Sequence, residues 1–173
     1  MLPSRPRLQG WNPDSLPPAG KTITTSGTAV GEAVTRIDSK LKTMADTKDW
    51  SGDAHTAATG MFARGKKQTD KFSEYTKAVG EAFSGSADPI GSAQRALLSK
   101  ADEIDAGGKL HVSDQWVVLI TGAKMTAEQA AALEKQAISE QLHVNRLLTA
   151  VGKADDEAAA KLMTAAQPYG FRR

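Results

Sequence analysis

The chain has 173 residues, of which 40% are hydrophobic and only 5% aromatic, and it carries no cysteine and a formal net charge of +2. This length supports one domain or two small halves that share a core, and the lack of cysteine excludes disulfides and thiolate metal sites. The small net charge argues against a nucleic-acid partner, and no run approaches the roughly 20 apolar residues of an integral membrane segment.

The first predicted elements are a short segment and a long helix. Residues 1–14 contain three prolines and are predicted to be extended. The prolines at positions 17 and 18 are tolerated only in a first helical turn, so the helix begins at residue 15 or 16 and ends near residue 46. Its apolar stripe is made of two rows in alternating steps of three and four. These rows are Leu16, Ile23, Val30, Ile37 and Met44, and Gly20, Gly27, Val34 and Leu41. Since Gly20 and Gly27 lie on the stripe, we expect a neighbouring helix backbone to approach closely there.

A turn over residues 47–52 separates this helix from the next one. Ser51 is predicted to cap the second helix, and Asp53 lies in its positive first turn. Two further apolar rows continue to about Phe83, so residues 15–85 are predicted to form a helical hairpin. The turn contains Trp50-Ser51-Gly52. Trp50 is predicted to cover the end of the hairpin and Gly52 to relieve crowding at the turn. A Trp at an exposed tip also predicts recognition by a partner protein.

Residues 86–167 are predicted to form a second helical hairpin, packed on the first, followed by a tail at residues 168–173. One helix begins at Asp88-Pro89 and ends at Gly107-Gly108. The other starts at the capping box of residues 126–129 and stops at Pro168. Between them, residues 110–120 are β-prone and are predicted to be an extended apolar connection without a strand partner, with a short helical turn as the alternative. The predicted fold is all-α, an elongated four-helix bundle of two antiparallel hairpins.

The apolar connection permits two interpretations. As part of the core, its Trp116 covers one end of the helices, and this interpretation is favoured. As a surface, Trp116 and Val118 form an apolar patch for a second copy or another protein.

Catalytic and metal-binding chemistry is not predicted. The histidines at positions 55, 111 and 143 do not have metal-ligand spacing. Ser51, Asp53 and His55 point to different sides of a helix and therefore cannot form a triad. The basic residues of the second helix, Lys66, Lys67 and Lys71 among them, have acidic neighbours that explain them as intrahelical pairs. We predict no enzyme activity, no metal and no cofactor.

With Trp50-Ser51-Gly52 between heptad-patterned helices, the chain resembles the Trp-x-Gly superfamily of type VII secretion substrates of actinobacteria. The opening residues 5–14 and the stretch of residues 100–120 also look like the N-terminal domains of PE/PPE-like mycobacterial members. The resemblance implies a four-helix bundle, here in the single-chain form, with Trp50 and Gly52 as the turn motif. It also implies a Tyr-x-x-x-Asp/Glu secretion signal, which this sequence lacks, because Val79 follows Tyr75 and Arg173 follows Tyr169 at that spacing.

The resemblance implies a type VII secretion substrate or targeting domain that acts by contact with secretion machinery or a chaperone. Such a protein is made in the cytoplasm and exported without a cleaved signal peptide. The N-terminus agrees, since no apolar run follows Arg5 and Arg7. The alternatives are an oligomer-forming structural module, with a homo-oligomer as its product, and the delivery domain of a larger toxin.

Overall fold

The computed structural model describes residues 2–46, 50–121 and 124–170. Five α-helices account for most of these residues: α1 (Arg5–Gln9), α2 (Leu16–Asp46), α3 (Asp53–Ser84), α4 (Ala87–Ala106) and α5 (Ala127–Ala166). Two strands, β1 (Leu110–Val112) and β2 (Val118–Ile120), and two 3₁₀ turns at Pro13–Ser15 and Gln167–Tyr169 complete the description. The described chain is therefore predominantly helical, and its β-structure is limited to one two-stranded hairpin. Within these residues no helix combines the length and apolar character needed to cross a membrane.

The chain divides into two compact units, each discontinuous in sequence. The core unit consists of residues 1–15 and 86–159, and the helical-hairpin unit consists of residues 16–85 and 160–173. This division differs from the one predicted from the sequence, which separated residues 1–14 from the rest and kept residues 86–167 together. The N-terminal residues belong to a compact unit whose other residues lie 70 or more positions later in the chain.

In the helical-hairpin unit, α2 and α3 run antiparallel and approach most closely at glycines. A Cβ added at Gly20 would lie 2.8 Å from Oγ of Ser84 and even nearer to the carbonyl oxygen of Gly80. A Cβ added at Gly80 would lie 2.5 Å from the carbonyl oxygen of Gly20. The close backbone approach predicted at Gly20 is confirmed, and at Gly27 the neighbour is the side chain of Thr76. A side chain at any of these three glycines would force the helices apart.

The core unit is built around one buried apolar cluster. Leu97, Ala101 and Ile104 of α4 occur at three- and four-residue steps, which puts them on one face of the helix. They pack in a cluster with buried residues of α1, the β-hairpin and α5: Leu8, Leu110, Val112, Trp116, Leu133, Ala137, Val144 and Val151. The cluster joins segments that are distant in sequence, so it holds the core unit together.

Residues 110–120 form an antiparallel β-hairpin in which Leu110 pairs with Ile120 and Val112 with Val118. The expectation of an extended segment without a strand partner was wrong, because the partner is the second half of the same segment. Strands this short are unstable alone, and the Gln141 side chain supplies further bonds to β2 and the turn. Gln141 of α5 accepts from the Val118 N–H at 2.8 Å and donates to the Trp116 carbonyl at 2.9 Å.

The N-terminal segment is not extended throughout, as the sequence had predicted. Residues Arg5–Gln9 form α1, with Pro6 in its first turn, where the missing N–H of proline costs no hydrogen bond. Leu8 of this helix is fully buried in the apolar cluster. The three prolines therefore did not enforce an extended conformation. Pro6 lies in α1 and Pro13 in the first 3₁₀ turn, and burial of Leu8 stabilises this arrangement.

Candidate functional site

Trp50 and Gly52, the residues of the predicted turn motif, lie at the end of the helical hairpin where the chain passes from α2 to α3. Residues 47–49 of that predicted turn lie outside the described residues. The Trp50 side chain is 37% exposed, and its ring lies edge-on to the His55 ring with centroids 5.4 Å apart. Trp50 is thus held against the first turn of α3 while part of its indole faces solvent.

Gly52 rather than Ser51 takes the cap position of α3. Its φ of 100° lies in the left-handed region, which a residue with a Cβ adopts only with strain. The Gly52 carbonyl accepts the N–H of Thr56 at 3.0 Å and so begins the helix, while no side chain caps it. The predicted Ser51 cap is therefore wrong, and Asp53 lies in the first turn as predicted.

His55 connects the two helices of the hairpin, a role that was not predicted. Its Nε2 is 2.8 Å from the carbonyl oxygen of Leu41 on α2. Together with the Trp50 contact, this bond fixes the geometry next to the turn. Its place in the first turn of α3 was visible in the sequence, but the carbonyl that it meets lies 14 residues earlier and becomes its neighbour only after the chain folds back.

An exposed apolar face runs along the helical hairpin. It consists of Val30, Ile37 and Met44 of α2 and Met61 and Phe72 of α3, which are between 40% and 54% exposed. The second row of α2, which includes Gly20 and Gly27, faces α3 instead. Because the α2 residues recur every seven positions, they lie on one side of that helix. The apolar stripe predicted on α2 is therefore only partly buried against α3.

The 3₁₀ turn that follows α5 contacts α3 beside this face. The Tyr169 ring packs against Tyr75 with centroids 5.4 Å apart, and Phe72 lies 6.4 Å from Tyr75. These rings, together with Pro168 and Lys71, line an open groove of about 580 Å³. Pro168 ends α5 as predicted, since α5 stops at Ala166 and a 3₁₀ turn follows.

Trp116 is part of the core and not of a surface. It is 3% exposed, and its Nε1 donates to the carbonyl oxygen of Pro3 at 2.7 Å. The favoured interpretation of Trp116 as a core residue is confirmed, and the alternative that places Trp116 in a contact surface is wrong because the side chain is buried. Val118 is half-buried against the cluster. The exposed apolar residues of this segment are Val117, Leu119 and Ile120.

Arg5 joins α1 to α4 and the β-hairpin. Its Nη1 donates to Oδ2 of Asp105 at 2.8 Å and to the carbonyl oxygen of Val112 at 2.7 Å. Its Nη2 donates to Oδ1 of Asp102 at 2.8 Å. The Arg5 side chain is only 11% exposed and Asp105 27%, so this charge-assisted bond is better shielded from water than a surface pair, whereas Asp102 is 69% exposed.

Charge and hydrogen bonding shift the pKa values of this cluster. Burial alone would raise the pKa of Asp105, but the Val112 N–H bond, the Arg5 bond and charge, and His111 outweigh it and hold that pKa below its ordinary value of 3.8. Burial alone would lower the pKa of Arg5, and its bonds and charge interactions with Asp105 and Asp102 outweigh that effect and raise it.

Acid is expected to weaken the core unit through Asp105. The folded state holds this carboxyl ionised more strongly than the unfolded state does, so its stabilisation is present above pH 3.8. This stabilisation is lost as the pH falls from 3.8 through the lower pKa of the folded state, because the unfolded chain binds more protons than the folded chain over this interval. Urea unfolding at pH 5 and pH 3 measures this loss. Asp105→Asn should flatten the slope over this interval, while an unchanged slope would contradict the assignment.

Metal-ligating side chains are not brought together in the described part of the chain. Within residues 2–46, 50–121 and 124–170, no group of three His, Asp or Glu side chains could hold a metal ion. The basic residue Lys66 forms an ion pair with Asp70 at 2.9 Å, as its spacing predicted. Comparison with family models, curated proteins and solved structures finds no match for the chain.

Proposed function

We propose that this chain is a targeting domain or substrate of type VII secretion and that it acts by protein contact. The observation that carries the proposal is the partly exposed Trp50 at the joined end of the hairpin, two residues before the left-handed Gly52. An indole that is held in place yet faces solvent suits recognition, because Trp is enriched among the residues that dominate binding energy. The partner in this proposal is secretion machinery or a chaperone.

The packing of the helical-hairpin unit supports a protein partner. Every apolar side chain that is fully buried in the described residues belongs to the core unit. The buried positions of α2 and α3 that are described are instead small or polar, namely Gly20, Gly27, Asp38, Thr76 and Gly80. The apolar face of Val30, Ile37, Met44, Met61 and Phe72 thus offers surface whose burial would stabilise a complex.

Basic residues border this apolar face. Lys40 lies three residues after Ile37 and four before Met44, and Arg64 lies three residues after Met61. Residues three and four apart are neighbours on a helix surface. These charges favour a helical partner with acidic residues beside its own apolar stripe. The four-helix bundle predicted from the sequence, in which residues 86–167 form a second hairpin packed on residues 15–85, also remains a proposal.

The proposed route is synthesis in the cytoplasm and export without a cleaved signal peptide. The sequence has no Tyr-x-x-x-Asp/Glu signal, and its two tyrosines, Tyr75 and Tyr169, pack against each other. A signal supplied by a bound partner accounts for export in this proposal. Recognition of the Trp50 end then selects the complex.

Trp50→Ala is expected to lower export into the culture medium about tenfold or more, since losing a central Trp from an interface costs at least about 2 kcal/mol. Gly52→Ala should also lower export, because a Cβ is strained at its φ of 100°. Immunoblots of medium and cell fractions measure both variants, and circular dichroism of the purified chains checks that they fold.

Ser51→Ala is the matched control, because Ser51 is exposed and lies between the two test residues. It should be exported like the unaltered chain. Normal export of folded Trp50→Ala and Gly52→Ala chains would refute the recognition role.

A further inference from the structure

The N-terminal residues lie in a cradle of the core unit. We call residues 2–13 the strap, and we define the cradle by five residues that contact it: Gln94, Asp102 and Asp105 of α4, Val112 of β1, and Trp116 of the β-turn. The strap and the cradle are both in the core unit, but residues 16–85, which form most of the other unit, separate them in sequence. The strap therefore reaches its site in the way a tethered peptide does.

Specific side chains recognise the strap at both of its ends. At the first end, Trp116 donates to the carbonyl oxygen of Pro3 at 2.7 Å. At the other end, the Gln94 Nε2 donates to the carbonyl oxygens of Leu8 and Trp11 at 2.8 and 2.9 Å. Gln94 is only 8% exposed, so its amide is committed to these two strap carbonyls in a site shielded from water.

The middle of the strap is recognised by charge and by shape. Arg5 bonds to Asp102, Asp105 and the Val112 carbonyl, and its own N–H donates to the Asp114 carbonyl at 2.9 Å. Leu8, three residues later, is completely buried. An arginine and a leucine at this spacing, framed by carbonyls that accept from Trp116 and Gln94, define a sequence-specific register for the bound segment.

The backbone conformation at Trp116 indicates that contact with the strap holds the indole in this position. Its φ of 65° makes it the one non-glycine residue of the described chain in the left-handed region. That conformation costs an L-residue roughly 1–2 kcal/mol, and glycine is the residue usually found at such a turn position. The bonding and burial of the indole against the strap offset this cost.

We propose that the cradle is a peptide-recognition site whose ligand is the strap of this chain, bound here in cis and taken in trans from a second copy when the tether is opened. The tether gives the strap a high local concentration, so the attached strap excludes a free one. Cleaving the chain between the two units removes the local-concentration advantage of the attached strap.

The test uses the complete chain with a site-specific protease sequence inserted between Ser15 and Leu16, at the border of the two units. After cleavage, the fragment of residues 1–15 should stay with the remainder during size-exclusion chromatography. A fluorescent synthetic peptide of residues 1–15 should then replace it and raise the fluorescence anisotropy. Intact chain should bind this peptide at least about tenfold more weakly, because its attached strap competes.

Peptides with single substitutions separate recognition from nonspecific binding. Arg5→Ala and Leu8→Ala peptides should each bind about tenfold or more weakly than the unaltered peptide. The Arg7→Ala peptide is the matched control, because Arg7 is exposed while Arg5 has an 11% exposed side chain. It should bind like the unaltered peptide.

Three results would overturn the proposal. One is a remainder that keeps its helicity but binds no peptide. Another is a remainder that unfolds after cleavage and is not restored by added peptide, as expected if the strap is only a part of the folding core. The third is equal binding of the Arg5→Ala and Arg7→Ala peptides. None of these results depends on export, so the test is independent of the proposed function.

Discussion

Trp116→Ala is expected to lower the free energy of unfolding of the core unit by about 3–5 kcal/mol, the usual cost of truncating a buried Trp. The indole is 3% exposed and shares a buried cluster with Leu97 and Val112. Alanine leaves a cavity in that cluster and removes the hydrogen-bond donor from the Pro3 carbonyl. Urea denaturation combined with hydrogen exchange of amides in α4 measures the effect.

Two variants test the reason for this loss. Trp116→Gly should be more stable than Trp116→Ala by roughly 1 kcal/mol, because glycine adopts the φ of 65° without strain. This order reverses the usual preference for alanine over glycine. Trp50→Ala should cost much less stability than Trp116→Ala, since Trp50 is 37% exposed. An Ala variant of Trp116 whose free energy of unfolding lies within about 1 kcal/mol of the unaltered chain would contradict the assigned role, because truncating a buried Trp costs about 3–5 kcal/mol.

Gly80→Ala is expected to destabilise the helical hairpin by about 1–3 kcal/mol, the typical cost of overpacking. The added Cβ would lie 2.5 Å from the carbonyl oxygen of Gly20. That oxygen belongs to the backbone of α2 and cannot rotate away, so the two helices must separate. The cost opposes the roughly 1 kcal/mol that alanine gains over glycine inside a helix. Hydrogen exchange of amides in α2 and α3 measures the result.

Gly65→Ala provides the control on the same helix. Outside the local backbone of α3, no described atom lies within 4 Å of a Cβ added at Gly65. The substitution should therefore stabilise α3 by up to about 1 kcal/mol through helix propensity. If Gly80→Ala and Gly65→Ala change protection in the same direction, the close approach of α2 and α3 does not limit the stability of the hairpin.

The two units are stabilised in different ways, and this bears on their proposed roles. The core unit has a buried cluster that includes Leu97, Trp116 and Val144 outside the strap, which suits the fixed shape that the proposed cradle requires. The described part of the hairpin joins its helices through glycine contacts and leaves large side chains such as Ile37 and Phe72 about half exposed. Burial of these side chains in the proposed complex would stabilise the hairpin further.

Much of the helical architecture could be predicted from the sequence, because its signals are local. The two prolines after residue 16 fix the start of α2, Pro168 ends α5, and three- and four-residue apolar steps identify the long helices. The glycines on the α2 stripe indicated a close helix neighbour, and the structure places Gly80 there. These patterns act within a few residues of themselves and do not require knowledge of the fold.

The recognition geometry was decided by tertiary structure, because it depends on residues far apart in the chain. Arg5 meets Asp105 across 100 positions, and Trp116 meets Pro3 across 113. No spacing rule connects such residues, so the sequence suggested an extended N-terminus and left the burial of Trp116 open. Likewise, periodicity marked an apolar stripe on α2, but only packing decided that its glycine row faces α3 while Val30 and Ile37 remain exposed. Local chain preferences determined the helices, and long-range burial and hydrogen bonding determined which surfaces they cover.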